Sequence, residues 1–300
     1  MAINICFNGD PKFTVCFSEK RLYLNKVIES FDMKKIEQLV NLEEITFNTT
    51  GLKSIPIEIL SLPNLKILTI YEYEKDILEK WFYNKEKINI DFTNLKYLTN
   101  LKILRLHSNF PNEIEYLKNL EEFTYSYSFN NINIFPIIST LTTLKKLQIT
   151  YSDIRSIPSE IKSLINLESL ILYRNSIRTI TPDIKYLKNL KEIDLSYNFI
   201  DNLPDEFKFL PKLVKFDISY NNLTTIPNWI IYLHNLKTLD FDKNCIENIS
   251  HNLSHFIIEY SKNLYKIDYS ILNNYNLIPH NDNDNNNDNN NNNNSFFIEI

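Results

Sequence analysis

Apolar residues recur along this chain with a fixed spacing of 23 residues. In each repeating segment an apolar residue stands at relative positions 1, 4, 6, 11, 14, 18 and 21. The five segments that align without a gap begin at Leu42, Leu144, Leu167, Leu190 and Leu213. A period of this length indicates stacked structural repeats rather than one globular core.

The spacing inside one repeat predicts a strand followed by a short return segment. Positions 4 and 6 share one face of a strand, whereas positions 3, 5 and 7 point to the other face. Positions 14, 18 and 21 follow a helical spacing, and the proline common at position 15 suits a first helical turn, where its missing N–H leaves no bond unmade. Because one repeat cannot bury its apolar face alone, stacking is expected to join the strands into a parallel sheet on the inside of a curved solenoid.

These segments resemble the leucine-rich repeat, LxxLxLxxNxL, in the 23-residue form that continues with (I/L)PxxIxxL. Further copies of irregular length begin at Leu65, Leu101, Leu120, Leu236 and Leu264. The resemblance covers residues 42–272, about ten units that are irregular between residues 73 and 143, and an extra stretch occupies Tyr73–Phe92. It implies an α/β solenoid, a leucine-rich-repeat horseshoe with a concave parallel β-sheet and short helical or irregular convex returns.

Asparagine stands at position 9 in half of these units, at Asn109, Asn175, Asn198, Asn221 and Asn244. The resemblance implies that this side chain points inward and bonds backbone groups of neighbouring repeats. A buried amide needs such partners, since an unpaired one costs about 1–3 kcal/mol. We therefore expect a regular, stiff region from Leu144 to Asn244 and a looser N-terminal half.

Residues 1–41 are expected to form an N-terminal cap before the first repeat. Ile3–Phe7 and Lys12–Phe17 flank an Asn-Gly turn signal and predict a hairpin. Met33–Val40 predicts a short helix that leads into Leu42.

Residues 273–300 are expected to be a disordered tail. The tract Asn281–Asn294 contains only asparagine and aspartate, so it has nothing to bury in a core. The last six residues, Ser295–Ile300, are either part of that disorder or a docking peptide held on a tether.

Composition excludes two classes of nucleotide chemistry. The chain has only two glycines, Gly9 and Gly51, whereas a P-loop or a dinucleotide fingerprint needs closely spaced glycines that let the backbone approach phosphates. The net charge of −5, with no basic block, argues against a nucleic-acid partner. No segment reaches the roughly 20 apolar residues that span a bilayer, so no membrane partner is expected.

The cysteines and the N-terminus favour an intracellular, cytoplasmic protein. Cys6, Cys16 and Cys245 are too few for a disulfide framework. Cys6 and Cys16 either face each other across the predicted hairpin or are two reduced core thiols, and reduced thiols are favoured. The first ten residues have no basic stretch followed by an apolar run, as a signal peptide would.

One cluster merits weighing as a metal or catalytic site, and it consists of Cys245, His251, His255 and Glu259. The two histidines are four residues apart and would share a helix face, but the metalloprotease glutamate between them is missing. No serine or cysteine nucleophile has a recognisable surrounding motif. We therefore expect no catalytic residues, no metal and no cofactor.

The residues that point into the concavity are the candidate partner-binding residues. Position 5 carries an aspartate column, which comprises Asp194, Asp217, Asp240 and Asp268. Position 8 carries Tyr127, Tyr151, Arg174, Tyr197 and Tyr220. Tyrosine and arginine dominate protein interfaces, but both columns also match the repeat's own consensus and so have an alternative structural explanation.

The sequence thus predicts a protein-interaction scaffold or adaptor that binds a partner protein on the concave face. The alternative is the substrate-recognition subunit of a ubiquitin ligase or other effector assembly, and an enzyme is least favoured. The repeat type resembles Ras-associated scaffolds and plant intracellular leucine-rich-repeat proteins, which implies a signalling partner such as a small GTPase or a phosphatase. Repeat type constrains shape far more than partner, and the oligomeric state stays open.

Overall fold

The structure, a computed structural model, describes residues 3–4, 14–18, 20–25, 33–48, 52–71, 90–126, 133–247 and 253. These residues contain fourteen strands. The strands are β1 (Ile3–Asn4), β2 (Thr14–Ser18), β3 (Arg21–Asn25), β4 (Glu44–Asn48), β5 (Ile67–Tyr71), β6 (Ile103–His107), β7 (Glu122–Ser126), β8 (Lys146–Thr150), β9 (Ser156–Ile157), β10 (Ser169–Ile171), β11 (Thr179–Ile180), β12 (Glu192–Asp194), β13 (Lys215–Asp217) and β14 (Thr238–Asp240).

Twelve of the described strands form one sheet, and their order across the sheet is their order along the chain. Every pairing between β3 and β14 in this sheet is parallel, whereas β1 with β2 and β2 with β3 pair antiparallel. β9 and β11 lie outside the large sheet and pair with each other. In the register of β1 with β2, Asn4 lies opposite Cys16, and Cys6 lies outside the described residues.

β3 is a strand that the repeat pattern did not predict. Its Leu22 and Leu24 are buried and its Arg21 and Tyr23 are exposed, which is the same alternation that positions 3 to 6 show in the repeats. Leu22 pairs in register with Ile45 and Leu24 with Phe47. The parallel sheet therefore begins one strand before the first full repeat at Leu42.

The returns are short helices on the side of the repeats away from the sheet. Eight are 3-10 helices, and they span Met33–Gln38, Ile57–Ser61, Thr93–Tyr97, Asn112–Tyr116, Ser159–Ser163, Pro182–Tyr186, Asp205–Phe209 and Asn228–Tyr232. One described return, Phe135–Ile138, is a turn of α-helix. A return of five residues can bury a single apolar side chain, such as Ile161 or Phe207, between the sheet and solvent.

The proline at position 15 stands one residue earlier than the sequence suggested. Pro158, Pro204 and Pro227 precede the first helical residue and adopt extended backbone angles. The carbonyl of each accepts the first helical N–H bond, as Pro204 does from Phe207 at 3.2 Å. Proline thus fixes the bend into the helix from the position before it.

The core is one continuous apolar cluster that runs from Leu22 to Leu253. In the repeat that begins at Leu190, all seven apolar positions are at most 4% exposed. They are Leu190, Ile193, Leu195, Ile200, Leu203, Phe207 and Leu210. The apolar period read from the sequence is therefore the period of the core.

Four of the five position 9 asparagines form the ladder that the resemblance implied, whereas the Asn109 side chain bonds, among the described residues, only the N–H and the carbonyl of Ile90. Asn198 donates from Nδ2 to the carbonyls of Leu195 and Leu172, at 2.9 and 3.0 Å, and its Oδ1 accepts the Ile177 N–H at 2.9 Å. Asn175, Asn221 and Asn244 repeat the arrangement. Each amide thus links two consecutive repeats through backbone groups that would otherwise be buried without partners.

A second amide ladder, which the sequence analysis missed, runs along the opposite end of the strands. The Nδ2 of Asn235 donates to the Pro211 carbonyl at 2.7 Å, and Asn166 donates to the Thr142 carbonyl at 2.8 Å. Asn64, Asn119 and Asn189 bond in the same way. This ladder is exposed, so each bond contributes less than a bond of the buried ladder.

Two glutamates at position 2, just before the strands, each lie between lysines of the adjacent turns. Glu121 lies between Lys102 and Lys145, at 2.8 and 2.7 Å, and hydrogen bonds from these two lysines lower its pKa to about 2. Glu43 is placed likewise between Lys20 and Lys66. These pairs join adjacent repeats, although surface ion pairs contribute little to stability.

Candidate functional site

The concave face consists of the side chains at positions 3, 5 and 7, bordered by position 8. Parallel pairing keeps equal positions in register, so Asp194 lies beside Asp217 and Asp217 beside Asp240. Adjacent strands are about 4.8 Å apart, and each position therefore becomes a column across the face. Columns of chemically similar residues are the only extended features that such a face can present.

The described part of the aspartate column has a structural role. The Oδ1 of Asp217 accepts both the N–H and the hydroxyl of Ser219, at 3.0 and 2.7 Å, and Asp194 makes the same bonds with Ser196. The carboxylate thereby holds the turn that follows each three-residue strand. The fourth member predicted for this column, Asp268, lies outside the described residues.

Burial raises the pKa of Asp194 and of Asp217 above the usual range. The bonds from the serines act in the opposite direction, while neighbouring carboxylates, Asp240 among them, raise both pKa values further. Asp240 itself is only 9% exposed. The column is therefore a half-buried row of carboxylates rather than a freely solvated acidic patch.

Position 8 has an unusual backbone conformation. Tyr151, Arg174, Tyr197, Tyr220 and Lys243 all have φ between 53° and 54°, in the left-handed region. Non-glycine residues pay roughly 1–2 kcal/mol for this conformation. The chain needs it here because the next residue must turn inward to place its side chain in the buried ladder.

Backbone bonds hold the position 8 residues in place. The Tyr197 N–H donates to the Ser219 carbonyl at 3.0 Å, and the Arg174 N–H donates to the Ser196 carbonyl at 3.0 Å. With the backbone anchored to the next repeat, each position 8 side chain points away from the core. Tyr127, the first tyrosine predicted for this column, lies outside the described residues.

Four of the position 8 residues and Tyr173, from position 7, meet in a Tyr–Arg cluster. The cluster consists of Tyr151, Tyr173, Arg174, Tyr197 and Tyr220. Tyr197 and Tyr220 stack with ring centroids 4.0 Å apart and planes 10° from parallel. Tyr173 meets Tyr151 and Tyr197 edge to face, at 5.6 and 5.4 Å. The cluster is thus a continuous aromatic surface across four repeats.

Arg174 lies at the centre of the cluster. Its guanidinium carbon is 4.5 Å from the centroid of Tyr197, 5.4 Å from that of Tyr173 and 5.5 Å from that of Tyr151. Its Nε donates to the Tyr173 hydroxyl at 2.5 Å. Hydrogen bonding to Tyr220, together with burial, raises the pKa of Tyr197.

Tyr173 is the member of the cluster that the sequence analysis missed. It occupies position 7, where the neighbouring repeats carry Thr150 and Ser196, so no column of tyrosines marked it. The signal was present in the strand geometry, because position 7 shares the face of positions 3 and 5. A large side chain there falls between the position 8 residues of adjacent repeats.

The N-terminal half of the face differs in its chemistry. Arg105 pairs with Glu122 at 3.8 Å, and Tyr71 meets His107 edge to face at 4.5 Å. Desolvation by burial lowers the pKa of His107 from 6.5 to about 4, so it is neutral at physiological pH. This part of the face is a set of internally paired groups.

Among the residues that the structure describes, no three histidine, cysteine, aspartate or glutamate side chains come together as metal ligands. Cys245 is exposed, and the other residues weighed with it, His251, His255 and Glu259, lie outside the described residues. None of the helices in the described ranges is both long and apolar enough to cross a membrane.

The repeat length, the parallel sheet, the buried asparagine ladder and the short convex helices together define the class: the chain is a leucine-rich-repeat protein. The leucine-rich-repeat family model matches residues 165–223 and 188–246, the stretch in which the buried ladder is regular. The intracellular subtype stays a prediction. None of the curated proteins matches the chain significantly.

Solved structures of leucine-rich-repeat proteins share the fold. A leucine-rich-repeat protein of Leptospira interrogans is 28% identical with a TM-score of 0.62, over 79% of this chain and 63% of that one. An internalin of Listeria monocytogenes is 19% identical with a TM-score of 0.57, over 78% of this chain and 69% of its own. The plant peptide hormone receptor RGFR1, in complex with RGF2, is 20% identical with a TM-score of 0.52, over 79% of this chain and 41% of the receptor chain. This chain thus spans less than two thirds of the Leptospira protein and of the plant receptor.

Proposed function

We propose that the chain is a scaffold or adaptor that binds a partner protein on the concave face of its solenoid. The leucine-rich-repeat fold serves protein–protein interaction in general. The observation that carries the proposal for this chain is the Tyr–Arg cluster, which places five interface-type side chains in contact across four repeats. The proposed contact surface is this cluster and the aspartate column beside it.

The cluster is organised for binding before any partner arrives. Tyr197 and Tyr220 each stack on a neighbour, and their backbones are bonded to the next repeat. Association normally costs free energy for ordering side chains, roughly 0.5–1.5 kcal/mol for each immobilised one. Rings that are already ordered avoid most of that cost, which supports a role at the centre of an interface.

The aspartate column is proposed as a secondary contact. The hydrogen bonds that Asp194 and Asp217 accept use only Oδ1, so within the described residues Oδ2 of each remains available to a basic group. Reversal of these residues to lysine would also remove the bonds to Ser196 and Ser219. Asparagine is therefore the better test substitution, because it keeps the acceptor and removes the charge.

The comparisons support a protein partner without identifying one. The plant receptor that shares the fold was solved in complex with RGF2, which supports a peptide or protein as ligand for this kind of surface. A signalling protein such as a small GTPase or a phosphatase is the partner class that we propose from the repeat type. We further propose that the role is binding rather than catalysis and that the partner is met inside the cell.

The test is capture of partners from the native cell by three forms of the full chain. The forms are wild type, a Tyr197→Ala/Tyr220→Ala variant in the cluster, and a Tyr186→Ala/Tyr232→Ala variant on the convex helices. The convex tyrosines are 48% and 57% exposed and so match or exceed Tyr220, at 41%, in the area that they offer. Thermal unfolding of each form shows that it is folded.

A protein held by wild type and by the convex variant, but lost with the cluster variant, supports the concave face. Retention by the cluster variant together with loss from the convex variant would move the binding surface to the helices. A product released from a panel of common hydrolase substrates would contradict the non-catalytic role.

A further inference from the structure

Arg174 differs from three of the other four arginines that the structure describes in what surrounds its charge, and the fourth, Arg178, contacts a single ring, that of Phe199. Arg21, Arg105 and Arg155 each pair with a carboxylate, at 3.1, 3.8 and 3.1 Å. Arg174 has no carboxylate within ion-pairing distance among the described residues, and its neighbours are tyrosine rings and hydroxyls. Its positive charge is therefore held in place without being neutralised.

The surroundings fix the guanidinium but use only part of it. The Nε bond to Tyr173 and the ring of Tyr197 at 4.5 Å set the position of the planar group. Neither of its two Nη groups donates a hydrogen bond to a described residue. An arginine has five N–H donors in a fork that matches a planar acceptor, so most of its donors are left for a ligand.

The hydroxyls around Arg174 add to this donor set. The hydroxyls of Tyr151 and Tyr173 lie 3.4 Å apart beside the guanidinium. When Tyr151 is the donor in this contact, the Tyr173 hydroxyl can donate its own hydrogen to an anion that approaches Arg174. The geometry is that of a small anion-binding point on an aromatic floor.

We propose that Arg174 receives the side-chain carboxylate of an aspartate or glutamate in the partner protein. The inference rests on the proposed function, because it specifies what the partner presents to the Tyr–Arg cluster. The aromatic floor packs against the apolar part of the acidic residue and its neighbours. The guanidinium fork binds the two carboxylate oxygens, and the Tyr173 hydroxyl donates a further bond to one of them.

Charge distinguishes a carboxylate from a phosphate at this point. A phosphate group carries about −1.5 to −2 charges and is usually met by a cluster of cations. Here the position 8 column continues with Tyr197 and Tyr220, which are uncharged, and the position 5 column of the same face carries Asp194 and Asp217. One cation beside a row of carboxylates suits a single negative charge.

The experiment begins with a displayed library of random 12-residue peptides selected on the full chain. The strongest peptide is synthesised in its original form, with each Asp or Glu changed to Asn or Gln, and with phosphoserine at that place. Binding of all forms is measured to wild type, Arg174→Gln and Arg174→Lys. Arg178→Gln is the matched control, because Arg178 is an exposed arginine that contacts the Phe199 ring outside the cluster.

We expect the selected peptides to contain an acidic residue whose change to the amide weakens binding roughly tenfold or more. Arg174→Gln should weaken the original peptide equally, and the two changes together should add little, because they remove the same contact. Arg174→Lys should restore only part of the loss, since lysine lacks the planar fork. Arg178→Gln should bind as wild type does.

The inference is overturned if the amide peptide binds as well as the original, if Arg174→Gln binds normally, or if phosphoserine is preferred over glutamate. Peptide binding that is lost in the Tyr197→Ala/Tyr220→Ala variant but insensitive to Arg174→Gln would overturn this inference and leave the proposed function standing. Selection of no peptide at all would count against both.

Discussion

The rings of Tyr197 and Tyr220 stack at 4.0 Å, although the two residues belong to different repeats and both have positive φ angles, of 54° and 53°. The relationship shows how one repeat geometry yields both stability and a surface. The left-handed turn directs Asn198 and Asn221 into the buried ladder. The same turn directs the preceding tyrosines outward, where parallel register brings them together.

The buried ladder should contribute far more to stability than the exposed one. Asn221 bonds Leu195, Ile218, Ser219 and Ile200 in the buried interior. Asn221→Ala leaves the Ile200 N–H without its partner and removes one of the bonds that the carbonyls of Leu195, Ile218 and Ser219 accept, so it should lower the free energy of unfolding by about 1–3 kcal/mol.

Asn235→Ala is the matched control, because it removes one exposed bond to the Pro211 carbonyl. It should cost roughly 0.5–1 kcal/mol. Urea unfolding followed by circular dichroism measures both. An equal decrease in the free energy of unfolding for the two variants would show that the buried ladder contributes no more to stability than the exposed one.

Neutralising the aspartate column should stabilise the fold near neutral pH. Because burial raises the pKa of Asp217, the folded protein takes up its proton at a higher pH than the unfolded chain does. This carboxylate therefore disfavours folding at pH 7, and the penalty disappears as the pH falls through the folded pKa. Asp217→Asn should raise the free energy of unfolding at pH 7 by a few tenths to about 1 kcal/mol.

Asp217→Ala should have the opposite effect, because it removes the acceptor for the N–H and hydroxyl of Ser219. The two variants are compared with wild type by urea unfolding between pH 4 and 7. An asparagine variant that is less stable than wild type at pH 7 would mean that the charge itself is favourable there.

The left-handed conformation of position 8 predicts that a suitable substitution at Lys243 stabilises the fold. Lys243 has a φ of 53° and is exposed. Asparagine tolerates the left-handed region better than lysine does. Lys243→Asn should raise the free energy of unfolding by about 0.5–1 kcal/mol.

Lys243→Val should lower the free energy of unfolding, since a β-branched residue is least tolerant of positive φ. Lys237→Asn, at position 2 before β14, is a control without a positive φ and should change little. Melting temperatures of the three variants test the order. A valine variant as stable as the asparagine variant would contradict the conformational argument.

Acid should destabilise the N-terminal half of the sheet through His107. Burial lowers the pKa of this histidine from 6.5 to about 4, so the unfolded chain binds the proton first as the pH falls. Its contribution to stability is complete above pH 6.5 and is lost as the pH falls toward 4. The loss should reach about 2–3 kcal/mol.

His107→Phe keeps a ring beside Tyr71 and removes the titration. From pH 7 to pH 4, the free energy of unfolding of wild type should fall relative to that of this variant. Substitution of the exposed His234 by glutamine is the control. A difference that is independent of pH would show that His107 is not desolvated.

The sequence predicted the fold well because the fold is periodic. Leu190, Ile193 and Leu195 are buried as their spacing required, and Asn198 bonds backbone groups of the preceding repeat and of its own. Five gapless copies made each position an average over several independent observations. The strand β3 was missed because Arg21–Asn25 lies outside the gapless copies, although the helix Met33–Gln38 follows it as a return.

The candidate site was less predictable, because it depends on contacts between repeats. The position 8 column of Tyr151, Arg174, Tyr197 and Tyr220 could be read from alignment, but its interpretation as a binding surface stays a prediction. Tyr173 could not be identified by aligning the repeats, since the residues at position 7 of the adjacent repeats are small. The structural role of the Asp217 carboxylate required the geometry of the turn to Ser219.

The most direct test of the concave binding face is photo-crosslinking in the native cell. A benzoylphenylalanine replaces Tyr220 in one form of the chain and Tyr232 in another, so that each probe substitutes for an exposed tyrosine, at 41% and 57%. We predict that light produces a covalent adduct with a partner protein from position 220 and none from position 232. An adduct from position 232 with none from position 220 would contradict the concave face as the binding surface.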